Sequence, residues 1–139
     1  METVRHWMSC PAIVVQPTIT LPEARRILKE SRIRRVPVVD AAGQLEGIVT
    51  EGDINRVSDS RAHDVREYNL YHRAADLLVG EIMTREVVAV APDTPILEVA
   101  QLLLSHRIGG VPVVERGQVV GVITESDLFR LIVAREAAR

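Results

Sequence analysis

The sequence predicts a mixed α/β (α+β) fold of two tandem βαββα units that are related by a pseudo-twofold axis and share one core. Three observations support this prediction. The two halves of the 139-residue chain repeat each other, each half combines β-branched runs with a helical apolar stripe, and glycine-containing turns separate the runs. Aromatic residues make up only 3% of the chain, so the core must be built mainly from Val, Ile, Leu and Ala.

The internal repeat is continuous enough to exclude chance. Shifting the chain by 75 positions places Val36–Val39 on Val111–Val114, which are four identities in a row. One residue is missing from the turn after Asp40, and with an offset of 74 Gly47–Asp53 then aligns with Gly121–Asp127. Turns tolerate such deletions. The chain therefore contains two copies of one structural unit.

Each copy begins with a short strand followed by an amphipathic helix. The strands are predicted at Ala12–Gln16 and Val87–Ala91, and Pro17 or Pro92 marks the turn after each. The apolar residues of the helices then recur at the spacing of a half-buried helix. These residues are Leu21, Ala24, Ile27 and Leu28 in the first copy, and Ile96, Val99, Ala100 and Leu103 in the second.

A hairpin and a second helix complete each copy. Glycine closes the turn between two β-branched runs, at Gly43 in the first copy and Gly117 in the second. The second helix is predicted to begin at Thr50 or Thr124. The paired runs are Val36–Val39 with Leu45–Thr50, and Val111–Val114 with Gln118–Thr124.

The repeat also predicts the domain organisation. We expect a first unit over 1–58, a connecting helix over 59–79 and a second unit over 80–139. One unit has about half the chain and is marginal alone, so the two units are expected to share one core. The connecting helix is predicted from apolar and aromatic residues at helical spacing: Val65, Tyr68, His72, Ala75 and Val79.

Composition excludes several classes of function. A formal net charge of -2 gives no general attraction to nucleic acid, and no apolar run is long enough to span a membrane. Cys10 is the only cysteine, so an internal disulfide is impossible and a reducing cytoplasm is the expected location. The four histidines share no ligand spacing, and the sequence has no catalytic constellation, P-loop or dinucleotide motif. We therefore expect no catalytic residues, no metal, no cofactor and no enzyme activity.

One motif, G-x-x-T-x-x-D, occurs twice, as Gly47-x-x-Thr50-x-x-Asp53 and as Gly121-x-x-Thr124-x-x-Asp127. Each copy lies where a strand ends and a helix begins. A threonine followed three residues later by an acid is typical of a helix-capping box. The same geometry favours an anion at the helix N-terminus and a ribose on the carboxylate. Capping and ligand binding both remain open interpretations.

Taken together, these motifs resemble a tandem CBS-domain pair, also called a Bateman module. The resemblance rests on Met8-Ser9 and Met83-Thr84 at the start of each copy, on the two V-P-V-V strands and on the two G-x-x-T-x-x-D motifs. It implies a cleft between the copies that binds AMP, ADP, ATP or S-adenosylmethionine. It also implies that Thr50 and Thr124 contact phosphate, that Asp53 and Asp127 hold the ribose and that Ile48 and Val122 touch the base.

The resemblance further implies composite sites. Asp53 is expected to act with Thr94, Ile108, Gly109 and Gly110, and Asp127 with Ile33, Arg34 and Arg35, while Val36 and Val111 complete the backbone lining. Two departures predict unequal sites, of which one or both bind the ligand. The residue aligned with Thr94 is Ile19, and the pair Arg34-Arg35 stands where the second copy has Gly109-Gly110.

The predicted function is that of a stand-alone regulatory protein. It binds an adenosine-containing ligand and signals to a separate effector protein by a change in conformation or in homodimer geometry. The alternatives are a dimerisation or protein-interaction scaffold whose motifs serve only as helix caps, and an S-adenosylmethionine sensor. Nucleic acid and membrane are not expected partners.

Overall fold

The computed structural model describes residues 2–62 and 76–138. It is a mixed structure with two small sheets, as predicted. After a short 3-10 helix at Val4–His6, the first half contains α1 (Leu21–Ser31), β1 (Arg35–Val39), β2 (Leu45–Thr50) and α2 (Glu51–Ala62). The second half contains α3 (Val79–Ile82), α4 (Ile96–His106), β3 (Gly110–Glu115), β4 (Gln118–Thr124) and α5 (Glu125–Ala137).

The two predicted hairpins are confirmed. β1 pairs with β2 and β3 pairs with β4, both antiparallel, and each hairpin has a register shift at the equivalent position after Val38 or Val113. Gly43 and Gly117 adopt φ values of 85° and 81° in the connecting turns. A side chain is strained in this left-handed region, so glycine suits both turns.

The predicted strands at Ala12–Gln16 and Val87–Ala91 are each reduced to one parallel bridge. Val15 donates to the Pro37 carbonyl at 3.1 Å and accepts from the Val39 N–H at 2.9 Å. The next residue of a parallel ladder to donate would be Pro17, which has no N–H. Val90 forms the equivalent bridge to Val113 and is likewise followed by a proline two residues later. Proline therefore limits these edge segments to a single pair.

The first helix of each copy ends at the same feature. α1 begins with a capping box between Thr20 and Glu23, and its C-cap, Arg32, has left-handed φ and ψ angles. α4 begins after Pro95 and ends at Arg107 in the same conformation. The apolar stripes predicted for both helices supply buried side chains, which confirms the predicted helical periodicity.

The two compact units do not coincide with the two sequence repeats, because each unit contains the chain segment that precedes the other repeat. One unit contains Met1–Ala12 together with Val88–Arg139, and the other contains Ile13–Val87. In the first unit, Ser9 forms a bridge with Val122 of β4, and in the second, Thr84 forms one with Ile48 of β2. The segment that precedes each repeat thus packs on the hairpin of the other repeat.

The described buried side chains form one cluster in each unit, and the core that we expected the two units to share stays a prediction. The exchanged segments supply Val79 and Met83 to one cluster and Val4 to the other. The unit Ile13–Val87 buries Val15, Leu21, Ala24, Leu28, Val36, Val38, Val49, Ile54, Val79 and Met83. The other unit buries Val4, Val90, Val99, Leu103, Val111, Val113 and Ile123.

The predicted connecting helix over 59–79 includes residues 63–75, which lie outside the described residues. The unit ranges 1–58 and 80–139 stay predictions about the sequence repeat. Within the described residues, no helix is both long and apolar enough to cross a membrane.

Candidate functional site

The first threonine–aspartate motif closes the start of α2. The Thr50 N–H donates to Asp53 Oδ2 at 2.9 Å, and the Asp53 N–H donates to Thr50 Oγ1 at 3.0 Å. These reciprocal bonds make a capping box, which satisfies backbone groups that a helix N-terminus would otherwise leave unpaired. The capping interpretation is therefore correct, and it leaves part of the Asp53 carboxylate exposed, at 19% for the side chain.

The second motif has the same arrangement at the start of α5 but is more deeply buried. The Thr124 N–H donates to Asp127 Oδ2 at 2.8 Å, and the Thr124 hydroxyl lies 3.3 Å from the same oxygen. Only 2% of the Asp127 side chain is exposed. Asp127 is thus a nearly buried carboxylate, whereas Asp53 is partly open.

Backbone just before each central proline lies beside the motif of the same unit. Arg35 is the cross-strand partner of Thr50, and the Glu51 N–H donates to the Arg34 carbonyl at 2.8 Å. The other unit repeats this geometry, with Gly110 opposite Thr124 and the Glu125 N–H on the Gly109 carbonyl at 3.0 Å. The structure therefore places Thr50 beside Arg34 and Arg35 of its own unit, and Thr124 beside Gly109 and Gly110. The resemblance had instead assigned 33–35 to the site of Asp127 and 108–110 to the site of Asp53.

The apolar residues two positions before each threonine hold the exchanged segments. Ile48 makes two backbone hydrogen bonds with Thr84, both of 2.9 Å, and Val122 makes the equivalent pair with Ser9 at 2.9 and 3.1 Å. Both Ile48 and Val122 are half-buried. Each is held in place on two sides, by its own hairpin and by the exchanged segment.

Thr94 occupies the turn before α4. Its hydroxyl accepts the Ala91 N–H at 3.0 Å, and it is half-buried. The predicted composite pairings of Asp53 with Thr94 and 108–110, and of Asp127 with 33–35, involve both units and stay predictions.

Sequence reasoning missed Arg56 and Arg130. The guanidinium of Arg56 pairs with Asp53 Oδ1, and that of Arg130 pairs with Asp127 Oδ1. Both arginines are also related by the repeat offset of 74, so extending the alignment by one helical turn would have found them. The repeated motif is therefore T-x-x-D-x-x-R, with an ion pair built into each copy.

Each motif offers hydrogen-bond acceptors on a carboxylate, a hydroxyl group on a threonine and a positively charged arginine nearby. Such groups bind a polar ligand with hydroxyl donors and an anionic portion. Among the described residues, no group of three or more His, Cys, Asp or Glu side chains could hold a metal ion.

Comparison with known proteins identifies the repeat. The sequence model of the CBS domain family matches residues 4–60 and 79–134. A CBS domain-containing protein of Dictyostelium discoideum is 30% identical over 131 residues, which cover 94% of this chain and 90% of that protein. The crystal structure of a CBS domain pair in complex with 5-methylthioadenosine and S-adenosyl-L-methionine superposes with a TM-score of 0.82 and is 32% identical. That match covers 97% of this chain and 98% of the other.

The same repeat also occurs within larger enzymes. The L-aspartate semialdehyde sulfurtransferase of Methanocaldococcus jannaschii is 33% identical over 129 residues. The match covers 92% of this chain but only 23% of the enzyme, so the likeness concerns one part of that enzyme.

Proposed function

Because this chain belongs to the CBS domain family, we propose that it binds an adenosine-containing ligand at its threonine–aspartate motifs and acts as a regulatory, non-catalytic protein. The observation that carries the proposal is that, in each unit, a threonine–aspartate motif lies beside the backbone that precedes the central proline. It is supported by a CBS domain pair, 32% identical over nearly its whole length, that was crystallised with two adenosine derivatives.

The chemistry of the motif fits the adenosine part of such a ligand. A carboxylate accepts hydrogen bonds from both hydroxyls of a ribose, and Asp53 and Asp127 are each fixed in orientation by a backbone N–H at their Oδ2 atoms. The half-buried apolar side chains of Ile48 and Val122 offer a surface for a flat base. Ile48 and Val122 lie on hairpin strands, and Asp53 and Asp127 lie in the first turn of the helices that follow, which limits their freedom before a ligand arrives.

The finer proposal is an adenine nucleotide, AMP, ADP or ATP. Arg34 is exposed and Arg35 is half-buried, and both lie on the segment beside Thr50. Guanidinium groups remain ionised and bind phosphate oxygens in pairs. The second copy has Gly109 and Gly110 at these positions, so we propose two unequal sites, with the phosphate preference confined to the one that contains the arginines. S-adenosylmethionine, which has no phosphate, is the alternative ligand.

A second candidate function is a protein-interaction scaffold. It is favoured by an apolar surface on α4 and α5, where Leu104 is 80%, Phe129 61% and Val133 67% exposed. The aligned face of the first copy is polar, and there Arg25 donates to Asn55 Oδ1 at 3.0 Å. We propose that the apolar surface of α4 and α5 mediates a homodimer, through which ligand binding would be signalled to an effector protein. The cytoplasm is the proposed location, because its reducing conditions suit a protein whose one cysteine, Cys10, is an exposed free thiol.

Ligand screening tests the proposal directly. A ligand that binds only the folded state raises its stability by RT ln(1 + [L]/Kd), which is about 2.7 kcal/mol at a hundredfold excess over Kd. The melting temperature is therefore expected to rise with adenosine, AMP, ADP, ATP or S-adenosylmethionine. No rise with any of these ligands at millimolar concentration would contradict the proposal and favour the scaffold.

A matched pair of variants locates the binding. Asp53→Asn combined with Asp127→Asn removes both carboxylates and should weaken binding by about ten- to a hundredfold, since a charged hydrogen bond contributes ~1.5–3 kcal/mol. Asp76→Asn, which changes an exposed aspartate outside the motifs, is the control and should leave affinity unchanged. Equal affinity for all three proteins would show that the motifs are caps only.

A further inference from the structure

The arginine of each T-x-x-D-x-x-R motif takes the carboxylate oxygen that the threonine leaves open. Asp53 Oδ2 accepts the Thr50 N–H at 2.9 Å, while its Oδ1 pairs with Arg56. In the other unit, Asp127 Oδ2 accepts the Thr124 N–H at 2.8 Å, and Oδ1 pairs with Arg130. Both oxygens of both aspartates are therefore already engaged.

The two partners of each carboxylate differ in their freedom to leave. The threonine N–H belongs to the backbone at the end of a strand, so it moves only if the helix start is rebuilt. The arginine lies at the end of a flexible side chain, and the side chains of Arg56 and Arg130 are 73% and 62% exposed. The guanidinium can turn into water at little cost, whereas the N–H cannot.

We propose that Arg56 and Arg130 compete with the ligand, each occupying the carboxylate oxygen that a ribose diol requires and leaving it when the ligand binds. This inference rests on the proposed function. A ribose with two adjacent hydroxyls can use both oxygens of one carboxylate, and the guanidinium on Oδ1 takes one of the positions from which a hydroxyl would donate to that oxygen. The arginines thus set the affinity of each site, and their release reports its occupancy on the surface of α2 and α5.

The competition is expected to be stronger in the second copy. The Asp127 side chain is 2% exposed and that of Asp53 is 19% exposed, so solvent screens the Asp127–Arg130 pair less. A less screened pair is harder to displace. The site at Asp127 is therefore the weaker one for a neutral nucleoside as long as Arg130 is present.

Substitution by methionine tests this competition, because methionine keeps the length and helix propensity of the side chain but removes its charge. Isothermal titration uses adenosine, which is neutral, so that direct attraction between arginine and phosphate does not interfere. Arg130→Met should raise adenosine affinity by about two- to fivefold, the range expected from a partly exposed ion pair, and Arg56→Met by less. Arg135→Met, on an exposed arginine of the same helix, should leave the affinity unchanged.

The salt dependence of adenosine affinity is a second test, because it would not change if the arginines had only a structural role. Added salt screens the arginine–aspartate pair, so in the unmodified protein adenosine affinity should rise between about 0.05 and 0.5 M salt. In the variant with both arginines replaced by methionine, adenosine affinity should not change with salt concentration. Arg130→Gln, which keeps hydrogen-bond donors without the charge, should give an intermediate affinity, and melting curves check that each variant is folded.

The outcomes separate this inference from the function on which it rests. If the unmodified protein binds adenosine and the methionine variants bind it equally or more weakly, the arginines do not compete and the inference is overturned while the function stands. If neither the unmodified protein nor any variant binds adenosine, AMP, ATP or S-adenosylmethionine, both are overturned. Tighter binding by Arg130→Met together with loss of the salt response supports the inference.

Discussion

Gly121→Ala should destabilise this protein, whereas the same substitution at Gly52 should stabilise it. A Cβ atom at Gly121 would stand 2.8 Å from Met8 Sδ and 2.8 Å from the Ser9 carbonyl oxygen. The methionine side chain can adjust, but the Ser9 backbone is held to Val122 by hydrogen bonds of 2.9 and 3.1 Å. The exchanged segment must therefore shift or lose these bonds.

The expected magnitude follows from these contacts. Overpacking at such distances costs ~1–3 kcal/mol, and weakening the two backbone bonds adds ~0.5–1.5 kcal/mol for each bond that is lost. We expect a loss of about 2–4 kcal/mol in the free energy of unfolding. For a chain of this size that corresponds to a fall of roughly 6–15 °C in melting temperature.

Gly52 provides the matched control because it lies in the first turn of α2. A Cβ there would meet its nearest atoms, Arg56 Nη1 and Thr50 Oγ1, at 3.4 and 3.7 Å, which are ordinary contacts. Alanine favours a helix over glycine by ~0.5–1 kcal/mol, so Gly52→Ala should raise the melting temperature by a few degrees.

Calorimetry of the three proteins decides the matter. A melting temperature of Gly121→Ala within about 2 °C of the unmodified protein would refute the reasoning, because ~1 kcal/mol shifts the melting temperature by more than that. Adding Met8→Ala to Gly121→Ala should restore only part of the stability. The side-chain contact is then removed, but the Ser9 carbonyl remains.

Three further predictions concern the ligand, the dimer and the cores. Arg34→Ala combined with Arg35→Ala should reduce the preference for AMP over adenosine by about tenfold in isothermal titration; an unchanged preference would place the phosphate elsewhere. Phe129→Glu should raise the dimer dissociation constant at least ~tenfold in sedimentation equilibrium, because a charge would be buried in an apolar contact, and a wild-type monomer would refute the proposed dimer. A fragment of residues 13–87 should give a dispersed NMR spectrum, while residues 1–58, which lack the segment that pairs with β2, should not; the reverse result would contradict the exchanged packing.

The local features of the fold could be predicted from the sequence because they depend on residues a few positions apart. The stripe of Leu21, Ala24 and Leu28 predicted the buried face of α1, and the glycines at 43 and 117 predicted the hairpin turns. The threonine–aspartate spacing predicted the capping geometry for the same reason, since a cap connects residues three positions apart.

The lengths of the strands at Ala12–Gln16 and Val87–Ala91 were overestimated, because β-branched composition does not reveal which strand a segment pairs with. Pro37 and Pro112 lie in the strands that these segments approach, and Pro17 and Pro92 follow the segments themselves. The missing N–H groups matter only once the pairing is known.

The sequence by itself determined the duplication, the order of elements within each copy and the two motifs. These are properties of short stretches, and their effect on structure does not depend on distant neighbours. Only the tertiary structure decided that Met8 packs on Gly121 and Met83 on Gly47, so that each core is closed by a segment of the other copy. Both copies begin with methionine and both contain the glycine, so packing within a copy and exchange between copies satisfy the same local pattern. The choice between them depends on contacts between residues far apart in the chain, which no local periodicity records.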